Sequence, residues 1–238
     1  MTIYAVGDIH GYRDALEEAL ARIDDDPGAP DAPVVFLGDL VARGPDSRGV
    51  IDLLIRGLAE GRPWIVLKGN HDRLFERFLD HGAEHDPRIL SGRGWLTPQL
   101  GGPATLASYG VEADDRPPLE VLAEARDVVP ASHLQFLRAR PLWHMAGGLL
   151  FVHAGIRPGV PLEEPTEDDL LWIRDPFLDP ARAFPWLVVH GHTAIEYPRH
   201  YGNRVNLDGG AGWGRDLVPA VFEGDDAFLL GPRGRVPM

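Results

Sequence analysis

Five short stretches of the chain set metal-competent side chains beside glycine: Gly7-Asp8-Ile9-His10-Gly11, Gly38-Asp39, Gly69-Asn70-His71-Asp72, His153-Ala154-Gly155 and Gly191-His192-Thr193. Carboxylates, imidazoles and a side-chain amide are donors that suit divalent ions. Asp8 and His10 are two residues apart, which in extended backbone puts both side chains on one side. The adjoining glycines let backbone approach a bound ion or phosphate closely. Each motif taken alone has other uses. A Gly-Asp after a strand also makes a turn, caps the next helix, or takes part in acid–base chemistry. Five together point to one shared site.

Each stretch follows a short apolar run: IYAV (3–6), VVFL (34–37), WIVL (64–67), LLFV (149–152) and LVV (187–189). Such runs read as buried strands. Between the first three lie helical faces, Leu16 with Leu20 and Ile23, then Ile51 with Leu54, Ile55 and Leu58, stopped by Gly61 and Pro63. Strand–helix–strand alternation predicts βαβ units and an α/β fold. Ligands then collect outside the carboxyl ends of the strands, where these motifs lie. Leu74, Phe75 and Phe78 predict a third helix, and Ser132 with Gln135 a capping box for another. From about 80 to 120 the periodicity weakens, which predicts an inserted set of loops and short helices placed to lid a site. RVNLD (204–208), LVPAVFEG (217–224) and AFLLG (227–231) read as hairpins. The acidic patches at 24–26 and 163–169 read as solvated loops.

The 238 residues fit a single domain, 1–238. With 36 acidic against 23 basic residues the formal charge is -13, which argues against nucleic acid or an anionic membrane as partner. The absence of cysteine excludes disulfides, thiolate metal sites and cysteinyl intermediates. No stretch of eighteen apolar residues occurs, and MTIYAVGD enters a strand without a leader-like pattern, so a cytoplasmic protein is expected.

GDIHG, GDLVARG, GNHD, HAG and GHT, in that order, resemble the calcineurin-like metallophosphoesterases, and more narrowly the PPP-type bacterial serine/threonine protein phosphatases. GGPATLASYG (101–110), LLWIRDPFL (170–178) and VNLDGGAGWG (206–214) extend the resemblance over nearly the whole chain. It implies an α/β, four-layer αββα sandwich of two mixed sheets flanked by helices. It also implies two divalent metal ions, with manganese expected and iron or zinc as alternatives. Asp8, His10 and Asp39 would hold the first ion, and Asp39, Asn70, His153 and His192 the second, with Asp39 bridging. The implied reaction is phosphoester hydrolysis by direct attack of a metal-bridging hydroxide. Arg43 and Arg174 would clamp phosphate, and His71 would protonate the leaving oxygen.

Two departures qualify the resemblance. PPP enzymes usually carry an aspartate before the arginine, paired with the histidine, where this chain has Ala42; Asp72 or Asp46 would have to substitute. On that reading Ala42→Asp speeds hydrolysis of alkyl phosphates more than of activated aryl phosphates. Position 194 is alanine rather than the second histidine of GHxH, which weakens a nuclease reading. The leading expectation is a phosphomonoesterase acting on phosphoserine or phosphothreonine in proteins. A symmetrical dinucleoside polyphosphate hydrolase is the alternative and a non-catalytic scaffold the third reading; the expected partner is a phosphoprotein or a small phosphoester. His190 is expected to orient a ligand, while His81, His85, His133, His144 and His200 are expected to pack or lie on the surface. Trp95, Trp143, Trp172 and Trp213 are expected to pack in the core or lid.

Overall fold

The computed structural model describes residues 1–28, 31–162, 164, 166–179, 181–224 and 226–238. In chain order its elements are β1 (Thr2–Val6), α1 (Arg13–Asp24), β2 (Val34–Phe36), α2 (Ser47–Ala59), β3 (Trp64–Val66), α3 (Asn70–His81), α4 (Gly102–Ser108), α5 (Pro118–Val128) and α6 (Ala131–Arg138). There follow β4 (Trp143–Ala146), β5 (Leu149–Val152), α7 (Glu167–Trp172), β6 (Leu187–His190), β7 (Arg199–His200), β8 (Arg204–Asn206), a 3-10 turn at Ala211–Trp213, β9 (Ala220–Glu223), β10 (Asp226–Gly231) and β11 (Gly234–Pro237). One sheet runs β11-β10-β9-β1-β2-β3 and the other β4-β5-β6-β8-β7. In the first, β1, β2 and β3 are parallel and joined by α1 and α2. In the second, β5, β6 and β8 are parallel. Both sheets are mixed, and the fold is the expected α/β sandwich flanked by helices.

Strand alternation explains the layers. Ile3 and Ala5 of β1 face the second sheet and pack with Val35, Phe151, Val189 and Val205. Their neighbours Tyr4 and Val6 face the other way, into a core shared with Leu16, Leu54, Phe75 and Phe78 of the helices. The outer face of the second sheet, through Leu150, Val152 and Val188, is covered by Leu170 of α7 and by Ile173 and Phe177 beyond it. Among the described residues no helix is long and apolar enough to cross a membrane.

Several sequence expectations change. RVNLD does form a hairpin, with β7, but in the second sheet, where β8 also runs parallel to β6 and Val205 joins the inter-sheet core. Ser132 lies inside α6 rather than capping it, since Pro130 occupies the cap position. The acidic patches are not simply solvated. Asp169 is buried against Arg157 at 2.9 Å, and Asp168 meets Arg73 at 2.7 Å. Residues 163 and 165 of that patch lie outside the described residues.

Asp26 is buried and accepts two hydrogen bonds from Arg235 of β11, at 2.7 and 2.8 Å, and one from the Tyr4 hydroxyl at 2.7 Å. The Arg235 hydrogen bonds, set against burial, hold its carboxyl down at about 2. A depressed carboxyl stabilises the fold at pH values above its unfolded value, about 4, and the stabilisation disappears as pH falls through about 2. Arg235→Met is therefore expected to lower unfolding free energy at pH 7 by about 2 kcal/mol. The loss should shrink between pH 4 and 2, as checked by urea unfolding across that range. An equal loss at both ends would remove the pair from the account.

Candidate metal centre

Backbone hydrogen bonds zip together the loops that leave β1 and β2. The Ile9 and His10 amides donate to the Asp39 carbonyl at 3.1 and 2.7 Å, and Gly11 N donates to Leu40 O at 2.9 Å. Asp8 and His10 are thereby held beside Asp39. A side chain at Gly69 would overlap Asp39, and one at Gly191 would overlap the Asp8 carboxylate, so glycine is required at both crossings. His10, Asp39, Ala42, Arg43 and His192 all adopt left-handed backbone, with φ between 51° and 80°. Such conformations cost roughly 1–3 kcal/mol each and persist where surrounding structure enforces them, typically at functional sites.

The side chains converge. Asp39 Oδ2 lies 3.6 Å from His10 Nε2, and its Oδ1 lies 3.4 Å from His153 Nε2 and accepts from His71 N at 2.8 Å. Asn70 Oδ1 is 2.8 Å from both His153 Nε2 and His192 Nδ1. Asp8 accepts from His192 N at 3.0 and 3.1 Å. Asp8, Asp39 and His153 have donor atoms within 4.8 Å of one another, and so do His10, Asp39 and His71. Asp39 is common to both groups, one oxygen toward each. His10 and His153 turn Nδ1 to the carbonyls of Val41 and Leu37, at 3.0 and 2.9 Å, which leaves Nε2 facing the cluster.

The electrostatics fit divalent ions. Burial, with the neighbouring carboxylates of Asp208 and Asp39, pushes Asp8 well above the usual carboxylate range, and burial pushes Asp39 up to about 7. Burial also drives His10 and His192 well below the ordinary imidazole value and His153 to about 4. Imidazoles held neutral are the ligand form, and crowded buried carboxylates need cations to be stable as anions. His192 Nε2 is buried without a hydrogen-bond partner among the described residues.

Arg43 reaches His10 Nε2 at 2.5 Å and His71 Nε2 at 3.3 Å, with its guanidinium 4.5 Å from the centre of the Trp213 ring. The His10 lone pair cannot serve the guanidinium and a cation at once. His71 sits in the first turn of α3, where the helix N-terminus favours anions. Burial, His10 and Arg43 hold it well below the ordinary imidazole value. A phosphate dianion would act in the opposite direction. Arg174 lies exposed at the rim of the same cavity, which encloses about 360 Å³.

Neither substitute for the missing acid at position 42 reaches His71. Asp72 accepts from Leu40 N, Val41 N and Gly69 N, at 2.9, 3.3 and 2.8 Å, which turns its carboxylate to the backbone beneath the site. Asp46 caps α2 through Gly49 N at 2.8 Å. The expectation that Ala42→Asp accelerates hydrolysis also changes. Ala42 is fully buried, its methyl faces Gly101, and its amide is held by Ser47 and Thr105 at 3.2 and 3.0 Å. An added carboxylate overpacks this contact, so Ala42→Asp is expected to destabilise by about 1–3 kcal/mol in urea unfolding. Unchanged stability would restore the catalytic reading.

His190 Nδ1 donates to the Gly191 carbonyl at 3.0 Å and its ring packs on Phe177; among the described residues it makes no hydrogen bond to a candidate ligand side chain. Asp208 escaped the sequence reading. It is buried at the cavity edge, accepts from Gly210 N at 3.0 Å, and burial raises its carboxyl. Its signal was present: Asp208-Gly209 comes just after β8 and the buried Leu207, as the other acids come just after their strands. Trp213 is 60% exposed, contrary to a packing role, whereas Trp95 is fully buried against Phe75 and Phe78. Trp95 anchors the 80–120 segment, which walls the cavity through Ile89, Leu90 and Leu100.

Buried carboxylates, imidazoles and an amide gathered at the strand ends of an αββα sandwich define a metal-dependent phosphoesterase. The model of the calcineurin-like phosphoesterase family matches residues 1–221, and the chain belongs to that family. It is 29% identical to the asymmetrical bis(5'-nucleosyl)-tetraphosphatase PrpE of Geobacillus thermodenitrificans over 242 residues, covering 92% of this chain and 89% of that protein. It is 36% identical over 168 residues to the symmetrical bis(5'-nucleosyl)-tetraphosphatase of an Acidovorax species, covering 69% of this chain and 47% of that protein. The chain thus spans about half the length of that symmetrical relative. A crystal structure provisionally assigned as a diadenosine tetraphosphatase superposes with a TM-score of 0.66 at 25% identity, covering 99% of this chain and 93% of that one. These relatives are named for dinucleotide hydrolysis, so the expected PPP-type subtype is not supported.

Proposed function

We propose that this protein hydrolyses bis(5'-nucleosyl) polyphosphates, with diadenosine tetraphosphate as the test substrate. The observation that carries the reading is the end-to-end match to PrpE. The phosphoprotein reading rested on the PPP resemblance and yields to it. The asymmetrical designation of that relative favours unequal products, ATP and AMP, over the symmetrical cut expected from the sequence.

The site's chemistry suits a polyphosphate. Arg43, Arg88 and Arg174 line one cavity, and among the described residues none of them has a carboxylate within ion-pair distance. Guanidiniums without a carboxylate partner, lining a cavity of an otherwise acidic protein, favour multiply charged anions. Asp8, His10, Asp39, Asn70, His153 and His192 are the proposed metal ligands. Two divalent ions held there would activate water and offset the charge that develops in phosphoryl transfer. Arg43 and Arg174 grip the phosphate under attack, and His71 stands at the helix N-terminus to donate a proton to the leaving oxygen.

Manganese-loaded protein should release ATP and AMP from diadenosine tetraphosphate faster than phosphate from a phosphothreonine peptide, and chelator should abolish both. Two molecules of ADP would keep the substrate and change the cut. Preference for the peptide would overturn the proposal.

A further inference from the structure

Two indoles line the cavity: Trp172 is half-buried and edge-on to His192, whereas Trp213 is the more exposed and offers its ring to a substrate. Its backbone belongs to the 3-10 turn Ala211–Trp213, flanked by Gly210 and Gly214, both in left-handed conformation. A side chain at Gly212 would strike the His10 ring and the Arg43 guanidinium, so this turn lies flat against the site and fixes the indole. One side of the ring carries the Arg43 guanidinium, 4.5 Å from its centre. At 60% exposure the rest of the ring stays open to solvent at the cavity rim. A large apolar ring left uncovered beside a phosphate-gripping arginine has no packing role that accounts for its exposure.

We infer that Trp213 is a specificity-determining residue, a platform on which the nucleobase nearest the cleaved phosphate stacks while Arg43, held against the same ring, grips the phosphate. The inference rests on the nucleotide reading and adds to it the group that recognises the base. Base stacking tolerates any base because each presents a π-face. The platform therefore selects nucleotides over base-free phosphates without reading base identity.

The test compares two non-hydrolysable ligands that share a phosphate mimic, adenosine 5'-(α,β-methylene)diphosphate and methylenediphosphonate, titrated calorimetrically into manganese-loaded protein. The ratio of their dissociation constants isolates the nucleoside and cancels any disturbance of Arg43. Wild type is expected to favour the nucleotide, Trp213→Ala to reduce that preference about 5- to 150-fold, and Trp213→Phe to keep most of it. No preference in wild type, or an unchanged ratio in Trp213→Ala, overturns the inference even if diadenosine tetraphosphate is cleaved. A Trp213-dependent preference in a protein that fails to cleave the dinucleotide supports the platform and sinks the proposed reaction instead.

Discussion

Asp39→Asn is expected to remove both metal ions from the purified protein and to cut turnover of diadenosine tetraphosphate by at least about 10³-fold. The geometry sets the size of the effect. One oxygen of Asp39 lies 3.6 Å from His10 Nε2, and the other lies 3.4 Å from His153 Nε2. Asparagine keeps the shape but puts an amide NH₂, a donor, where one group needs a lone pair, and it removes the negative charge both groups share. Removing one preorganised electrostatic partner costs on the order of 10²–10³, and here a single carboxylate serves two positions. Metal content by elemental analysis and turnover should therefore fall together. The metal-free variant should be no less stable than metal-free wild type, because burial already disfavours the ionised carboxylate. A variant that retains two ions per chain, or loses less than tenfold in rate, would show that Asp39 does not bridge.

The candidate ligands were legible because each is local. A strand read from four apolar residues ends in a glycine beside a donor, and the carboxyl-end rule brings such ends together whatever the loops between them do. Sequence spacing did not show which residues cross. The loop after β1 is zipped to the loop after β2, Gly191 lies against Asp8, and Asp26 pairs with Arg235 of the last strand, 209 residues away. The strand β4 was missed because its burial is only partial, so WHMA lacks a continuous apolar signal. Edge strands β7 and β11 are short and largely polar for the same reason. Asp208 lay in a segment read only as a hairpin, which hid that β8 also runs parallel to β6 and ends beside the strand that leads to His192. Trp213 was assigned to packing because tryptophan usually is buried, and only its 60% exposure in a glycine-bounded turn argues otherwise.

Arg43 carries the second large effect. Its backbone is left-handed, at φ 68°, and this conformation aims the side chain from the GDLVARG loop back over the cluster instead of along α2. The guanidinium lies against His71 and the face of the Trp213 ring, contacts that a planar, delocalised cation makes and an ammonium does not. Arg43→Ala is expected to lower kcat/KM for diadenosine tetraphosphate on the order of 10³-fold, because it removes a two-pronged contact aimed at the charge that grows in the transition state. Arg43→Lys should restore the charge and recover about a tenth of the wild-type value, lacking the fork and the flat face on the indole. The loss should fall mainly on kcat, since ground-state binding of the polyphosphate is shared with Arg88 and Arg174 while Arg43 alone of the three stands beside His71. Steady-state kinetics on the manganese-loaded variants decide the point. Full recovery by lysine would mean that a point charge suffices, and a loss confined to KM would move Arg43 from the reacting phosphate to the outer part of the chain.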